Sequence, residues 1–406
     1  MDSLVRGRAN GDVLIRAMQP TVSARVLRSL ALSETTRMAR VHTLPVHSLA
    51  IDRALNRFML SAGADTSIQL YDLDCSETAV ACAKQIAPKQ QVPSGAGHTR
   101  LVTSIEWYFA DCGMFSTGSF DNTLRVWDAS NMTEACRFDL EARVNRHQMS
   151  TTGAHMLIAV ADESEHVRLC DLASGAFAQS LPVHGQGTNA VAWSPTEPYV
   201  LATGGNDGSL KLWDIRQADS QLQHFSAPSG PNARNQSPVR SGTQHAGSLD
   251  KKVGDMFFVK DGAHLVSIGI DHRLQKWLIA GSQSALLFDL QISVSSSSSM
   301  VNAGSAKSLQ ATYTSASDEL TAGSEVAFIP NGDTTVAVID IANGTQMALL
   351  DGHLSQTLCA AWRPGHLELF TGGADGNILK WCPPAREMLS EAQKRAQKDT
   401  WSEDES

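Results

Sequence analysis

One pattern, a turn Asp six positions before a closing aromatic residue, recurs in five units along this chain, and that spacing limits the possible folds more than any other feature. The copies are Asp65 to Tyr71, Asp121 to Trp127, Asp207 to Trp213, Asp271 to Trp277 and Asp375 to Trp381. Asp followed by Gly or Asn suits a tight turn, and the apolar alternation after it (Leu124 and Val126, Leu210 and Leu212) has the period of a strand. A Ser or Thr stands four places before each Asp: Ser61, Thr117, Thr203, Ser267 and Thr371. A His opens most units, at His42, His98, His184, His245 and His353. Buried polar groups need partners. A His, a Ser or Thr, an Asp and an indole N–H can satisfy one another within one unit. Repeated along the chain, the set reads as architecture rather than as a catalytic Ser/His/Asp group.

The repeat is that of a WD-repeat β-propeller, an all-β fold. The closing positions are Tyr71, Trp127, Cys170, Trp213, Trp277, Ile339 and Trp381, with spacings of 56, 43, 43, 64, 62 and 42 residues. Plain blades run about 40–45 residues, so three spacings match and three carry insertions. Seven blades are predicted. Blade 3 (155–171) and blade 6 (325–340, turning at Asn331-Gly332) lack the Trp but keep the alternation. Pro383-Pro384 follows the last closing position directly, and proline cannot donate to a strand ladder. The uncovered edge of blade 7 needs a strand from elsewhere, and residues 26–41 are expected to supply it.

The domain reading is an N-terminal helical docking segment (1–31), the propeller (32–382) and a C-terminal helix with an acidic tail (383–406). In the first segment Leu14, Ile15, Met18, Val22, Val26, Leu27 and Leu30 recur at helical steps, interrupted near Pro20. Such a helix either packs on the propeller or enters a partner's groove. A second helix is expected over 385–398. Residues 217–250 and 281–323, rich in Ser, Gln, Pro and Asn, are expected as mobile loops. The net charge of −9 argues against wholesale binding to nucleic acid, although residues 1–45 hold seven Arg and the last eight residues hold four acids. Without a signal peptide or an apolar run of membrane-spanning length, the chain is expected to be soluble and intracellular, its seven Cys reduced.

No catalytic set, metal site or cofactor is expected. Gly185-Gln-Gly-Thr-Asn-Ala190 mimics a dinucleotide fingerprint, but it opens a blade instead of joining a strand to a helix. His166 and Cys170 fall on one predicted strand, where core packing is the simpler role. Propellers without chemistry bind proteins on their rims. The residue before each turn Asp points to one face: Ala64, Phe120, Asn206, Ile270 and Ala374. Phe120, Asn206 and Ile270 are the candidate partner face, with Phe120 and Ile270 as its apolar anchors.

Blade 4 closes with Trp213-Asp214-Ile215-Arg216. This motif resembles, together with Ser104-Ile-Glu-Trp107-Tyr, Gly113-Met-Phe-Ser-Thr-Gly-Ser-Phe120-Asp121, Val167-Arg-Leu-Cys170-Asp171-Leu, Ala192-Trp193-Ser-Pro195 and the acidic ending Trp401-Ser-Glu-Asp-Glu, the Cockayne syndrome A family. The resemblance runs along nearly the whole chain and is strongest over 98–216 and 353–382. It implies a non-enzymatic nuclear substrate receptor of a cullin-4 RING ubiquitin ligase in transcription-coupled nucleotide excision repair. It also implies docking on damage-specific DNA-binding protein 1 through Trp213, Asp214 and Arg216, with Asp207 upstream and the N-terminal helix (Leu14, Ile15, Met18, Val22, Val26, Leu27) beside them. The opposite face would recruit a Cockayne syndrome B type ATPase at stalled RNA polymerase II. The alternative is a WD-repeat scaffold of another nuclear complex, in chromatin or RNA processing.

Overall fold

The computed structural model describes residues 27–33, 36–74, 84–217, 221–225, 252–280, 283–293, 309–314 and 325–384. The described residues form seven four-stranded antiparallel sheets, one per blade, and a small parallel pair, Thr36–Met38 with Lys84–Ile86. In each blade the strands follow one another outward. The innermost strands of successive blades, such as Val46–Ile51, Val102–Trp107, Val144–Met149 and Thr188–Trp193, face one another around the axis. The fold is therefore a seven-bladed β-propeller.

The up-and-down order fixes which loops share a face. Turns between second and third strands, and connectors between blades, lie on one face, here called the upper. Turns between first and second strands, and between third and fourth, lie on the lower. Six of the inner strands carry a register shift near their upper end, for example between Val102 and Ser104 and between Thr188 and Ala190. Such bulges twist a strand locally.

Blade 7 is completed by the other end of the chain. Ala31 and Leu32 pair antiparallel with Cys382 and Trp381, and Ser33 N–H donates to Lys380 O at 2.9 Å. The strand that leaves blade 7 runs downward and the one that completes it runs upward. The described chain therefore both begins and ends on the lower face.

Leu27 begins the described residues in a short helical turn with its side chain fully buried, and with Leu30 it joins a core of Phe328, Val338, Trp362, Leu369 and Trp381 from blades 6 and 7. This corrects the reading of Leu27 as an adaptor contact: its apolar surface is spent on its own propeller. Leu14, Ile15, Met18, Val22 and Val26 lie outside the described residues, as do the 385–398 segment and His245.

The two segments expected as loops are corrected in part. Gln221–His224 is the outer strand of blade 4, and the next residue, Phe225, is fully buried, edge-on to Trp277 at 5.3 Å. Gln283–Gln291 is the nine-residue outer strand of blade 5, and Thr312–Tyr313 belongs to the inner strand of blade 6. Gln221–His224 is hidden by its polar composition, and Gln283–Gln291, which alternates Leu286, Phe288 and Leu290 with exposed residues, by the Ser-rich residues after it. Blade 3 also starts earlier than His155, with inner strand Val144–Met149.

Candidate docking site on the lower face

The repeated polar set forms as a chain of hydrogen bonds. In blade 2, Trp127 Nε1 donates to Thr117 Oγ1 (2.7 Å), Thr117 meets His98 Nε2 (2.7 Å), and His98 Nδ1 meets Asp121 (2.9 Å). Blade 4 repeats it: Trp213 to Thr203 (2.9 Å), Thr203 to His184 (3.1 Å), and His184 through Ser209 (2.8 Å) to Asp207 (2.7 Å). Blade 7 uses Trp381, Thr371, His353 and Asp375. In blade 1, Tyr71 replaces the indole, and His42 joins Ser61 to Asp65. Burial opposes the charged form of Asp121 and Asp207. Hydrogen bonds from the His and the neighbouring hydroxyl outweigh it and hold both carboxyls below the usual range. Blade 3 has no such His. Instead His147, on its inner strand, bridges to blade 2 through Ser104 (2.5 Å) and Ser116 (2.7 Å), and burial lowers its pKa to about 3.

These chains organise the upper face. Phe120, Asn206 and Ile270 all lie there, half-buried. The Arg143 guanidinium stands 5.7 Å from the centroid of the Phe120 ring. Asn206 is tied into its own loops, donating to Gln186 O (2.8 Å) and accepting from Asn189 Nδ2 (2.7 Å). Among the described residues no group of three or more His, Cys, Asp or Glu could hold a metal ion.

The lower face presents Arg216. Trp213 and Asp214 end the third strand of blade 4, Leu210–Asp214, and Asp214 is buried at the turn. The Arg216 guanidinium grips both its oxygens, Nε to Oδ1 at 2.9 Å and one terminal nitrogen to Oδ2 at 2.6 Å. That contact holds the Asp214 carboxyl below its usual range. The guanidinium carbon also lies 5.1 Å from the Tyr199 ring centroid. With one edge on a carboxylate and one face on a ring, the group is fixed, yet its side chain stays 60% exposed. A preset guanidinium can add bidentate bonds to a partner's carboxylate or carbonyls.

Asp207 does not share this place. It lies at the upper end of the strand whose lower end is Asp214, where it belongs to the His184 chain. Grouping Asp207 with Arg216 is therefore corrected: one flat partner surface cannot meet both ends of a blade. The sequence reading missed Tyr199. Its signal was available, because Val200 is the residue that pairs with Asp214.

The innermost strands also enclose a cavity of about 820 Å³ that reaches the loops of the lower face. Its walls carry Glu106 and Arg146 and the aromatic residues Trp107, Trp193, Tyr313 and Trp362. Asp255 is buried, 3.4 Å from Arg146, and accepts Ala311 N–H at 2.9 Å. Burial raises the Glu106 carboxyl to about 7 even though it accepts Met149 N–H at 2.7 Å.

Comparison with known proteins agrees with this architecture. The WD domain, G-beta repeat model matches residues 89–128 and 344–382, and the model of the nucleolar protein 10-like N-terminal domain matches 136–272. The chain is 26% identical to WD repeat-containing protein ATCSA-1 of Arabidopsis thaliana, over 98% of this chain and 99% of that protein. It is 24% identical to Radiation-sensitive protein 28 of Saccharomyces cerevisiae, over 57% of this chain and 49% of the relative. It is 25% identical to the ribosome biogenesis protein WDR12 homolog of Drosophila virilis, over 47% and 45%. It spans about half the length of those last two relatives. Repeat, ring and similarity agree: the chain is a WD-repeat β-propeller.

Proposed function

We propose that this propeller is the substrate-recognition subunit of a cullin-4 RING ubiquitin ligase in transcription-coupled nucleotide excision repair. It docks by its lower face on damage-specific DNA-binding protein 1. The observation that carries this reading is Arg216, held outward by Asp214 and Tyr199. The full-length similarity to ATCSA-1 supports it, and so does the emergence of both ends of the described chain on that face. Residues 13–26 would add a helix to the contact, and cullin-4 and the RING subunit would join through the adaptor. The upper face, with Phe120, Asn206 and Ile270, would recruit a Cockayne syndrome B type ATPase at stalled RNA polymerase II. The protein itself would be non-enzymatic and nuclear, without direct nucleic-acid contact.

The test is calorimetry of the purified chain with purified adaptor, for wild type, Arg216→Glu and Arg216→Lys. Wild type is expected to bind, Lys to bind weakly because it loses the bidentate fork, and Glu to fail. Wild-type binding untouched by Arg216→Glu removes the contact from the proposal. A second reading, a scaffold in ribosome biogenesis, is favoured by the nucleolar protein model over 136–272 and by the WDR12 relatives. Sedimentation of the tagged protein with pre-ribosomes, and no adaptor binding, would select it.

A further inference from the structure

The lower face of blade 1 carries a loop, residues 52–58, built more rigidly than its length requires. Asp52 is buried, and its carboxylate accepts three backbone N–H groups: Leu55 at 2.7 Å, Arg57 at 2.8 Å and Phe58 at 2.5 Å. Asn56 takes a left-handed conformation (φ 52°), and its carbonyl accepts Arg363 Nε from blade 7 at 2.6 Å. Arg363 is itself anchored to Glu368 at 3.0 Å and to Asp74. The loop is thus pinned from both sides, and at its tip it presents Leu55, 58% exposed.

Two arginines flank that leucine. Arg57 is fastened to Asp72, the closing aspartate of blade 1, by Nε at 2.8 Å and a terminal nitrogen at 2.6 Å, and remains 44% exposed. Its guanidinium lies 5.2 Å from the Phe58 ring centroid, with the Lys89 ammonium 5.4 Å from the same ring. Blade 1 therefore reproduces the fixed guanidinium of blade 4, although the arginine arrives from the other side of the turn. Arg53 is exposed and stands at the rim of the central cavity. The other closing aspartates among the described residues, Asp128, Asp171 and Asp340, are capped by backbone N–H groups and by Ser or Asn.

We propose that the Leu55 loop is a second docking knob for the same adaptor, resting on the reading of Arg216 given above. Its occupant is an acidic protein surface with an apolar socket. Leu55 fills the socket, and Arg53 and Arg57 meet carboxylates around it. A rigid loop that exposes an apolar anchor loses little conformational freedom on binding, and an arginine on each side of it suits an oppositely charged rim. Continuity favours this occupant: the knob lies on the lower face, with Arg216 and both ends of the described chain.

The test uses the full chain and purified damage-specific DNA-binding protein 1, measured by surface plasmon resonance, with Leu55→Asp, Arg53→Glu and Arg216→Glu. Leu55→Asp is expected to weaken affinity about tenfold, and Arg53→Glu to slow association, each with an unchanged melting temperature. If Arg216→Glu abolishes binding while both loop variants bind within twofold of wild type, the knob is refuted and the Arg216 reading stands. If wild type does not bind the adaptor at all, both fall. Self-association of the wild-type chain that Leu55→Asp abolishes would assign the loop to a second copy and overturn the proposal.

Discussion

Tyr199 of blade 4 and Arg57 of blade 1 hold the same ladder position, each one residue before the partner of its blade's closing aspartate (Val200 with Asp214, Phe58 with Asp72). In blade 4 the position supplies a ring on which an arginine from the turn lies. In blade 1 it supplies the arginine itself. One architectural slot thus ends in a fixed guanidinium by two routes.

Removing the ring separates position from charge. Tyr199→Ala keeps the Arg216–Asp214 pair but frees the guanidinium to leave its plane. Cation–π support at a partly exposed site is worth about 0.5–1 kcal/mol. Adaptor affinity is expected to fall a few-fold, and Tyr199→Phe to restore it. Equal losses for Ala and Phe would instead implicate the hydroxyl.

Phe120→Ala probes the upper face. The ring is half-buried under Arg143, so truncation should lower the melting temperature by no more than a few degrees while weakening the upper-face partner. A loss near 3–5 kcal/mol, typical of a buried Phe, would show that the ring is core.

Gly205 leaves no room for a side chain: a Cβ there would stand 2.2 Å from Asp207 Oδ1 and 2.5 Å from His184 Nδ1. Gly205→Ala is expected to break the polar chain of blade 4 at a cost of about 2–4 kcal/mol. Urea denaturation reads it, and a midpoint equal to wild type would contradict the packing.

The pH dependence has two opposed parts. His147 titrates near 3 in the fold against an ordinary 6.5. The unfolded chain therefore takes up a proton that the fold refuses, and this stability, present above pH 6.5, is lost as pH falls toward 3. Glu106 is raised to about 7 from 4.5. Its contribution is present below pH 4.5 and is lost as pH rises through 7. At roughly 1.4 kcal/mol per unit of pKa, Glu106→Gln is expected to stabilise the protein by about 3–4 kcal/mol at pH 8 and to leave it unchanged at pH 4.5. Urea midpoints at the two pH values check this.

The seven-bladed ring was legible because its polar chains recur at fixed spacing, and Thr203, His184 and Trp213 stand where the repeat requires. The places where reading failed have separate physical causes. Phe225 is buried just after a polar outer strand, and Gln283–Gln291, with Leu286, Phe288 and Leu290 on one face, is hidden by the Ser-rich residues after it. The resemblance groups Asp207 with Asp214, but the strand between them puts the two at opposite ends of the blade. His147 pairs with the preceding blade, and no single repeat contains that contact. Leu27 fits a helix offered outward as well as one turned inward, and only the pocket between blades 6 and 7 decides.

The pairing of Leu32 with Trp381 makes assembly wait for synthesis. Ala31–Leu32, the first of the described strands, has no partner until nearly the last residue of the ring has been made. Closing so long a loop costs entropy that only the finished ring returns. A ribosome stalled within blade 7 leaves an open arc, with Leu27, Leu30 and the core they cover still exposed to chaperones. Because Arg216 and both ends of the described chain lie on the same side, whatever grips that side also holds the latch shut. Binding there would slow unfolding as well as recruit a partner.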